Sequence, residues 1–192
     1  VPGTAGTVAF IDLLSDAGLP VVEVGAFVDP KRVPAMAGTE AVALPAASAF
    51  LARVAELRRR YAGRAPVTLF YQIWDRPLLT VNGEHLISDV LGLCGGRNIF
   101  AGISSLTPAV AVESVLAEDP EAIIASGALY AERGPLEGWQ RYPRLAAVRR
   151  GHVFFIHPDL IQRQTPRILQ GAQQMCEQIE QVRRGLDRRY SD

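Results

Sequence analysis

Short apolar segments alternate with helix-forming segments from Pro66 onward, and this alternation constrains the fold more than any other feature of the sequence. The apolar segments VTLFYQI, EAIIAS and HVFFI have the length of strands. The predicted helices are HLISDVLGLC, AVESVLAED, a short one from Leu136 to Tyr142, and TPRILQGAQQMCEQIEQVRR. The pattern predicts an α/β fold with a doubly wound, largely parallel sheet. Ligands of such sheets bind beyond the carboxyl ends of the strands.

A long helix is predicted ahead of this region, from Pro45 to Gly63. Proline is favoured in the first turn of a helix and glycine after its end. Apolar residues recur along the segment with helical spacing, at Phe50, Val54, Leu57 and Tyr61. Because the segment lies between two apolar strands, we interpret it as a rigid connector between two lobes.

Residues 1–44 contain only one recognisable helix, Val8 to Ala17, and one strand, Leu19 to Val24. The sequence therefore predicts a partial N-terminal lobe (1–44), a connecting helix (45–63) and a C-terminal α/β lobe (64–192). The opening VPGTAGT has neither an initiator methionine nor a secretory signal. We therefore expect the first lobe to be incomplete in this chain.

Composition excludes several classes of protein. Hydrophobic residues make up 48% of the chain, which is enough for a core. Lys plus Arg and Asp plus Glu both number 20, so the net charge is zero. A nucleic-acid-binding protein usually has a basic surface, so we expect no nucleic-acid partner. The longest apolar runs have the length of strands rather than of membrane spans.

The sequence contains no Gly-rich phosphate loop, nucleophile elbow or zinc-binding helix motif. GLCGG follows a predicted helix, so its glycines are interpreted as a helix cap rather than a nucleotide loop. His85 begins a predicted helix and His152 a predicted strand, and structural roles are expected for both. His157 stands beside the candidate site described next.

Polar and aromatic residues follow the first and last predicted strands of the regular region. Trp74 and Asp75 follow the first, and His157, Asp159, Gln162 and Arg163 follow the last. Trp74 could cover the core or offer a stacking face to a planar ligand. Asp159 and Arg163 could form a local ion pair, or offer an acceptor and a forked donor to a ligand. The residues alone leave both questions open.

The two cysteines, Cys94 and Cys176, also allow two interpretations. They could form one disulfide in an oxidising compartment, or be two buried thiols. Their spacing does not distinguish these, and no Cys/His spacing indicates a zinc site.

Three segments in order resemble one protein family: FYQIWDRPLLTVNGEHLISDVLGLCGGRNIF, TPAVAVESVLAEDPEAIIASG and GHVFFIHPDLIQRQTPRILQGAQQMC. The family is the periplasmic substrate-binding proteins of ABC importers for cobalamin, siderophores and haem, and the cobalamin-binding members are the most similar. The resemblance covers about Pro45 to Val182. It implies two α/β lobes joined by a long helix, with the ligand held between them. It further implies an exported, periplasmic, non-enzymatic monomer that requires no cofactor and delivers a cobalamin-like corrinoid to an ABC permease.

The resemblance also assigns roles to individual residues. Asp159 and Arg163 match positions near the amide side chains of the corrin, with His157 beside them, and Trp74 with Asp75 lies in the loop that supplies an aromatic wall. Thr107 stands where the cobalamin-binding relative has a tryptophan, so one stacking face for the ligand is lost or shifted. Tyr130 or Trp139 could supply an aromatic face in its place. Cys94 and Cys176 match a family disulfide. Glu113 matches a glutamate that docks on the permease, whereas the helix Val8 to Ala17 lacks the corresponding glutamate of the first lobe.

Two alternatives remain at this stage. The same scaffold could bind haem or a ferric siderophore, with His157, Tyr71 or Tyr130 as an axial ligand of haem. A small-molecule enzyme could instead use Asp159, His157 or Asp75 as acid or base, since a fold alone does not define a function.

Overall fold

The structure is a computed structural model that describes residues 39–127, 136–163 and 165–187. The helix and strand predicted between Val8 and Val24, and Tyr130, lie outside the described residues. The chain divides into two compact units, 1–56 and 57–192. Within the described residues, no helix is both long enough and apolar enough to cross a membrane.

Helix α1 runs from Thr39 to Tyr61. The prediction that it begins at Pro45 was wrong, since Pro45 lies inside the helix. A proline removes one hydrogen bond, and the flanking Ala, Glu and Leu residues are strong helix formers, so the helix continues across it. Its predicted end is confirmed, because Gly63 follows with a positive φ of 70°.

The second unit contains a four-stranded parallel sheet. Strands β1 (Val67–Gln72), β2 (Gly96–Asn98), β3 (Ala122–Ala125) and β4 (Val153–Phe155) lie in the order β2-β1-β3-β4. Leu69 of β1 pairs with Asn98 on one side and with Ala122 on the other. The predicted α/β class and the parallel, doubly wound arrangement are confirmed.

Helices connect and follow the strands. They are α2 (Leu86–Leu93), α3 (Val112–Glu118), α4 (Leu136–Trp139), α5 (Ala146–Arg149), α6 (Pro158–Ile161) and α7 (Ile168–Asp187). The sequence predicted α2, α3, α4 and α7. It did not predict the one-turn helices α5 and α6, and α4 ends at Trp139 rather than at the predicted Tyr142.

Both faces of the sheet are covered, which is why β1, β3 and β4 are mostly apolar. On one face Phe70 and Ile123 pack against Val115 of α3 and Trp139 of α4. The Trp139 indole N–H donates to the Gln72 side-chain oxygen at 2.7 Å. Trp139 is therefore a core residue, and the expectation that it compensates for Thr107 at a ligand site was wrong.

Helices α2 and α7 are joined on the other face of the sheet. A disulfide links Cys94 to Cys176, as the family resemblance implied. Gly95 has a φ of +74° directly after the C-cap Cys94, so the interpretation of this glycine as part of a helix cap is confirmed. The buried Arg183 of α7 donates to the backbone oxygens of Cys94 (3.1 Å) and Ala65 (2.8 Å).

Candidate functional site

The candidate site lies at the carboxyl ends of the strands, where the topology opens a crevice. From β1 the chain goes to β2 on one side, and it then returns to β3 and β4 on the other. The loops after β1 and β3 consequently leave the sheet in opposite directions. Such a switch point is where ligands of open α/β sheets bind.

The loop after β1 is a short turn that displays Trp74. The Ile73 N–H donates to the Leu79 oxygen (3.0 Å), and the Leu79 N–H donates to the Trp74 oxygen (3.1 Å). The indole N–H of Trp74 donates to the Arg76 oxygen at 3.1 Å, ahead of a cis Arg76–Pro77 bond. The side chain is nevertheless 41% exposed. Its polar group is thus satisfied within the loop, and the exposed surface is the apolar ring.

The loop after β2 lies beside this turn. Leu79 forms an antiparallel bridge to Ala109, and the Thr80 N–H donates to the Pro108 oxygen at 3.1 Å. Leu106, 51% exposed, and Trp74 are the large hydrophobic residues that the described part of the chain exposes. Thr107 is also exposed beside Leu106. Both exposed apolar side chains therefore belong to loops at one edge of the sheet.

The segment after β4 forms the one-turn helix α6, which carries the polar candidates. His157 is its N-cap, and its Nδ1 accepts from the Asp159 N–H at 3.2 Å. Asp159 Oδ1 lies 2.9 Å from Arg163 Nε. All three side chains are at least two-fifths exposed, which leaves the carboxylate and the guanidinium accessible from outside the loop.

Gln162 contributes to the position of α6 rather than to its exposed charges. Its side-chain N–H donates to the Ser126 oxygen at 2.7 Å, which ties the end of α6 to the end of β3. The loops that carry Trp74 and Asp159 thus lie at the same edge, with only β3 between their strands. The structure places the predicted site residues Trp74, Asp75, Thr107, His157, Asp159 and Arg163 on this edge.

Glu113 lies in the first turn of α3 and is exposed. Since α3 begins directly after the loop that follows β2, its first turn lies toward the same edge. A carboxylate also stabilises the amino end of a helix. Its position is compatible both with a capping charge and with a docking residue.

The structure restricts the residues considered as axial ligands of haem. Tyr71 is fully buried, and burial raises the pKa of its phenol although the neighbouring Ser126 hydroxyl lowers it. The interpretation of Tyr71 as an axial ligand was therefore wrong. In His157 the Nδ1 atom accepts the Asp159 N–H, so in the neutral ring Nε2 carries the proton and does not offer a lone pair. Among the described residues, no group of three or more His, Cys, Asp and Glu side chains could hold a metal ion.

His85 and His152 have the structural roles expected of them. His85 caps α2 by accepting the Ile87 N–H at 3.1 Å. His152 is buried, with its Nδ1 3.1 Å from the Glu121 oxygen. His152 precedes β4 and lies at the amino edge of the sheet, whereas His85 begins the helix that follows the β1 loop, where its ring nitrogen is used in the cap.

Two surface cavities lie at the opposite edge of the sheet. One of about 530 Å³ is lined by His152, which precedes β4, and by residues of α7 including Glu180 and Arg184. The other, of about 520 Å³, is lined by Asp119, which precedes β3, and by Arg141 to Leu145. Neither cavity contains a predicted site residue, and the amino edge of a parallel sheet is not where its ligands usually bind.

The fold is that of a periplasmic binding protein. The structure is similar to the crystal structure of the periplasmic vitamin B12-binding protein BtuF of Vibrio cholerae, with a TM-score of 0.69 and 28% sequence identity. The similarity covers 91% of this chain and 70% of that chain. The family resemblance drawn from the sequence is thus confirmed by the fold.

Sequence comparison finds relatives that are vitamin B12-binding proteins. The chain is 34% identical over 139 residues to the vitamin B12-binding protein of Vibrio parahaemolyticus, which is 72% of this chain and 50% of that protein. It is 39% identical over 127 residues to the vitamin B12-binding protein of Photorhabdus laumondii, 66% of this chain and 44% of that protein. The chain spans about half the length of these relatives or less. No protein-family model matches it.

Proposed function

We propose that this chain is part of a periplasmic binding protein that captures a cobalamin-like corrinoid and delivers it to the permease of an ABC importer. The observation that carries the proposal is the exposed indole of Trp74 at the switch point of the sheet. The similarity to vitamin B12-binding proteins supports it and directs it toward a corrinoid.

The chemistry of the edge suits such a ligand. A corrin is a broad, flat ring with amide side chains on its rim. The apolar surface of Trp74, with Leu106 on the adjoining loop, can cover part of a flat face. Asp159 can accept an amide N–H, and Arg163 can donate to an amide oxygen. One edge therefore combines apolar contact area with polar groups that orient the ring.

The remaining assignments belong to the same proposal. Asp75, Thr107 and His157 are proposed to line the ligand, and Glu113 to dock on the permease. We also propose that the protein acts as a monomer, that residues 64–192 form its C-terminal lobe, and that α1 (Thr39–Tyr61) is the helix that connects this lobe to a first lobe.

Isothermal titration of the intact protein with cyanocobalamin tests the ligand. We expect a dissociation constant of tens of micromolar or tighter, which is about −6 kcal/mol or more favourable. The absence of heat at that concentration would contradict the proposal. Addition of haemin with a Soret shift, and no heat with cyanocobalamin, would assign the site to haem instead.

Replacing Trp74 tests whether its exposed ring contacts the ligand. Trp74→Ala removes the exposed ring, and we expect a roughly tenfold weaker dissociation constant, since burial of aromatic area contributes about 1–2 kcal/mol. The control is Glu118→Ala at the exposed end of α3, which should bind as the wild type does. Equal affinities of the Trp74 variant and the wild type would remove Trp74 from the site.

A further inference from the structure

Gly171 lies in the fourth position of α7 and is buried. A glycine inside a helix costs about 1 kcal/mol relative to alanine, so its presence calls for a packing reason. Gly92 in α2 gives the comparison, because a methyl group there would meet nothing within 4 Å. Gly171 and Gly92 therefore have different surroundings although both lie in helices.

A methyl group at position 171 would collide with the backbone of α6. It would lie 2.5 Å from the carbonyl oxygen of Leu160, 2.9 Å from its carbonyl carbon and 3.2 Å from Cδ1 of Ile161. Backbone atoms cannot rotate away as the end of a side chain can. Relieving the contact requires α6 to move away from α7 by roughly 1 Å, given ordinary carbon–oxygen contact distances.

Helix α6 is the element that presents the polar groups of the proposed site. Leu160 follows Asp159 directly, and Asp159 is paired with Arg163 at 2.9 Å. The helix is otherwise held by the His157 cap at its start and by the bond from Gln162 to the Ser126 oxygen at its end. A displacement at Leu160 is therefore transmitted to Asp159.

We propose that Gly171 is a positioning residue for the ligand site: its missing side chain lets α6 dock on α7 at the distance that places Asp159 and Arg163 for the rim of the ligand. This inference rests on the proposed function for the identity of the ligand, but not for the contact between the two helices. Binding groups need to be held within about 0.5 Å of their productive geometry. A shift of α6 would therefore weaken binding without removing any contacting side chain.

The test uses Gly171→Ala, with Gly92→Ala as the matched control, since both replace a helical glycine by alanine. With cyanocobalamin as the titrant, we expect the dissociation constant to rise roughly tenfold in G171A, or about 1.4 kcal/mol, and to be unchanged in G92A. In a background that carries both Asp159→Ala and Arg163→Ala, G171A should have little further effect, because both positioned groups are already absent. Unchanged affinity in G171A, or the same loss with and without these two side chains, would overturn the proposal.

A second measurement needs no ligand. The Leu160 N–H donates to the His157 oxygen (2.9 Å), and the Gln162 N–H donates to the Pro158 oxygen (2.8 Å). Amide hydrogen exchange in this turn should be faster in G171A and unchanged in G92A. Exchange rates equal to those of the wild type would contradict the positioning role.

The two measurements separate this inference from the proposed function. If the wild type does not bind cyanocobalamin, the proposed function fails, while the exchange experiment still decides whether Gly171 positions α6. Because α6 is a single turn at the surface, we expect G171A to keep a cooperative thermal transition. Loss of that transition would also overturn the inference, since the contact would then stabilise the core and not the loop.

Discussion

His85 and His157 illustrate how single residues set local geometry. Each accepts an amide N–H two residues further on and so begins a helix, α2 or α6. At His85, burial lowers the pKa of the imidazole, while the nearby Asp89 carboxylate opposes this with a smaller effect. Protonation would also remove the lone pair that accepts the Ile87 N–H. The neutral ring is therefore the form that the fold favours.

The lowered pKa of His85 predicts a dependence of stability on pH. Below its ordinary value of 6.5 the unfolded chain takes up a proton more readily than the folded protein, so the free energy of unfolding should fall as the pH drops through that value toward the lower pKa of the folded state. His85→Asn keeps a capping side chain and removes the titration. Its stability at about pH 8 should be within about 0.5 kcal/mol of the wild type.

Urea unfolding of both proteins between about pH 8 and about pH 5.5 measures this effect. The wild type should lose stability relative to the Asn variant as the pH falls. Parallel pH profiles for the two proteins would show that His85 does not contribute to the dependence.

Trp74 and Trp139 show that the sequence alone does not predict which aromatic side chain is exposed and which is buried. Both are aromatic residues outside the strands, and either could have formed a surface for a ligand. The structure exposes Trp74, whereas Trp139 is 5.7 Å from Phe70 in the core and is bonded to Gln72. The difference depends on contacts between elements far apart in the chain, which a local pattern does not contain.

At the scale of elements, Arg183 is the main polar connection between α7 and its neighbours. The buried guanidinium bonds the Cys94 and Ala65 oxygens and is paired with Glu180. Arg184, on the next position, is 71% exposed and lies 3.6 Å from the same carboxylate. The two arginines thus offer a buried and an exposed version of one interaction.

We predict that Arg183→Ala lowers the free energy of unfolding by about 3 kcal/mol, because it leaves the buried Cys94 oxygen without its donor, removes the bond to the Ala65 oxygen and takes the buried cation away from the Glu180 carboxylate. Arg184→Ala, the matched control, should cost less than about 1 kcal/mol. Chemical denaturation gives both values. Equal effects would mean that burial does not distinguish the two residues.

The disulfide connects the same elements. Cys94 and Cys176 are 82 residues apart, so the bond closes a long loop in the unfolded chain. Replacing both cysteines by alanine should lower the free energy of unfolding by about 3–5 kcal/mol. Thermal unfolding of the oxidised wild type, the reduced wild type and the double variant measures this, and a reduced protein as stable as the oxidised one would contradict it.

Element type was predictable wherever an element is long enough to show a period. The apolar runs identified β1, β3 and β4, and the spacing in α2, α3 and α7 identified those helices. Of the three one-turn helices α4, α5 and α6, which are too short to show a period, only α4 was predicted, and its end was placed three residues too late. The start of α1 was misplaced because Pro45 resembles a first-turn residue, although the helix passes through it.

At the scale of the whole molecule, the alternation of strands and helices was sufficient to predict a parallel sheet. It was also sufficient to place the candidate residues at the carboxyl ends of strands, because all parallel strands end at one edge. The order β2-β1-β3-β4 could not be obtained in this way. Strand order is set by pairing between distant segments, and it is this order that places Trp74 at the switch point.

Hydrogen exchange of the intact protein with and without saturating cyanocobalamin tests whether the carboxyl edge of the sheet binds the ligand. We expect protection in the loops after β1 (73–80), β2 (99–110) and β4 (156–163). We expect no change around His152 and Glu180 at the opposite edge. Protection confined to that opposite edge, or no protection anywhere, would contradict the claim that the carboxyl edge of this sheet binds a corrinoid.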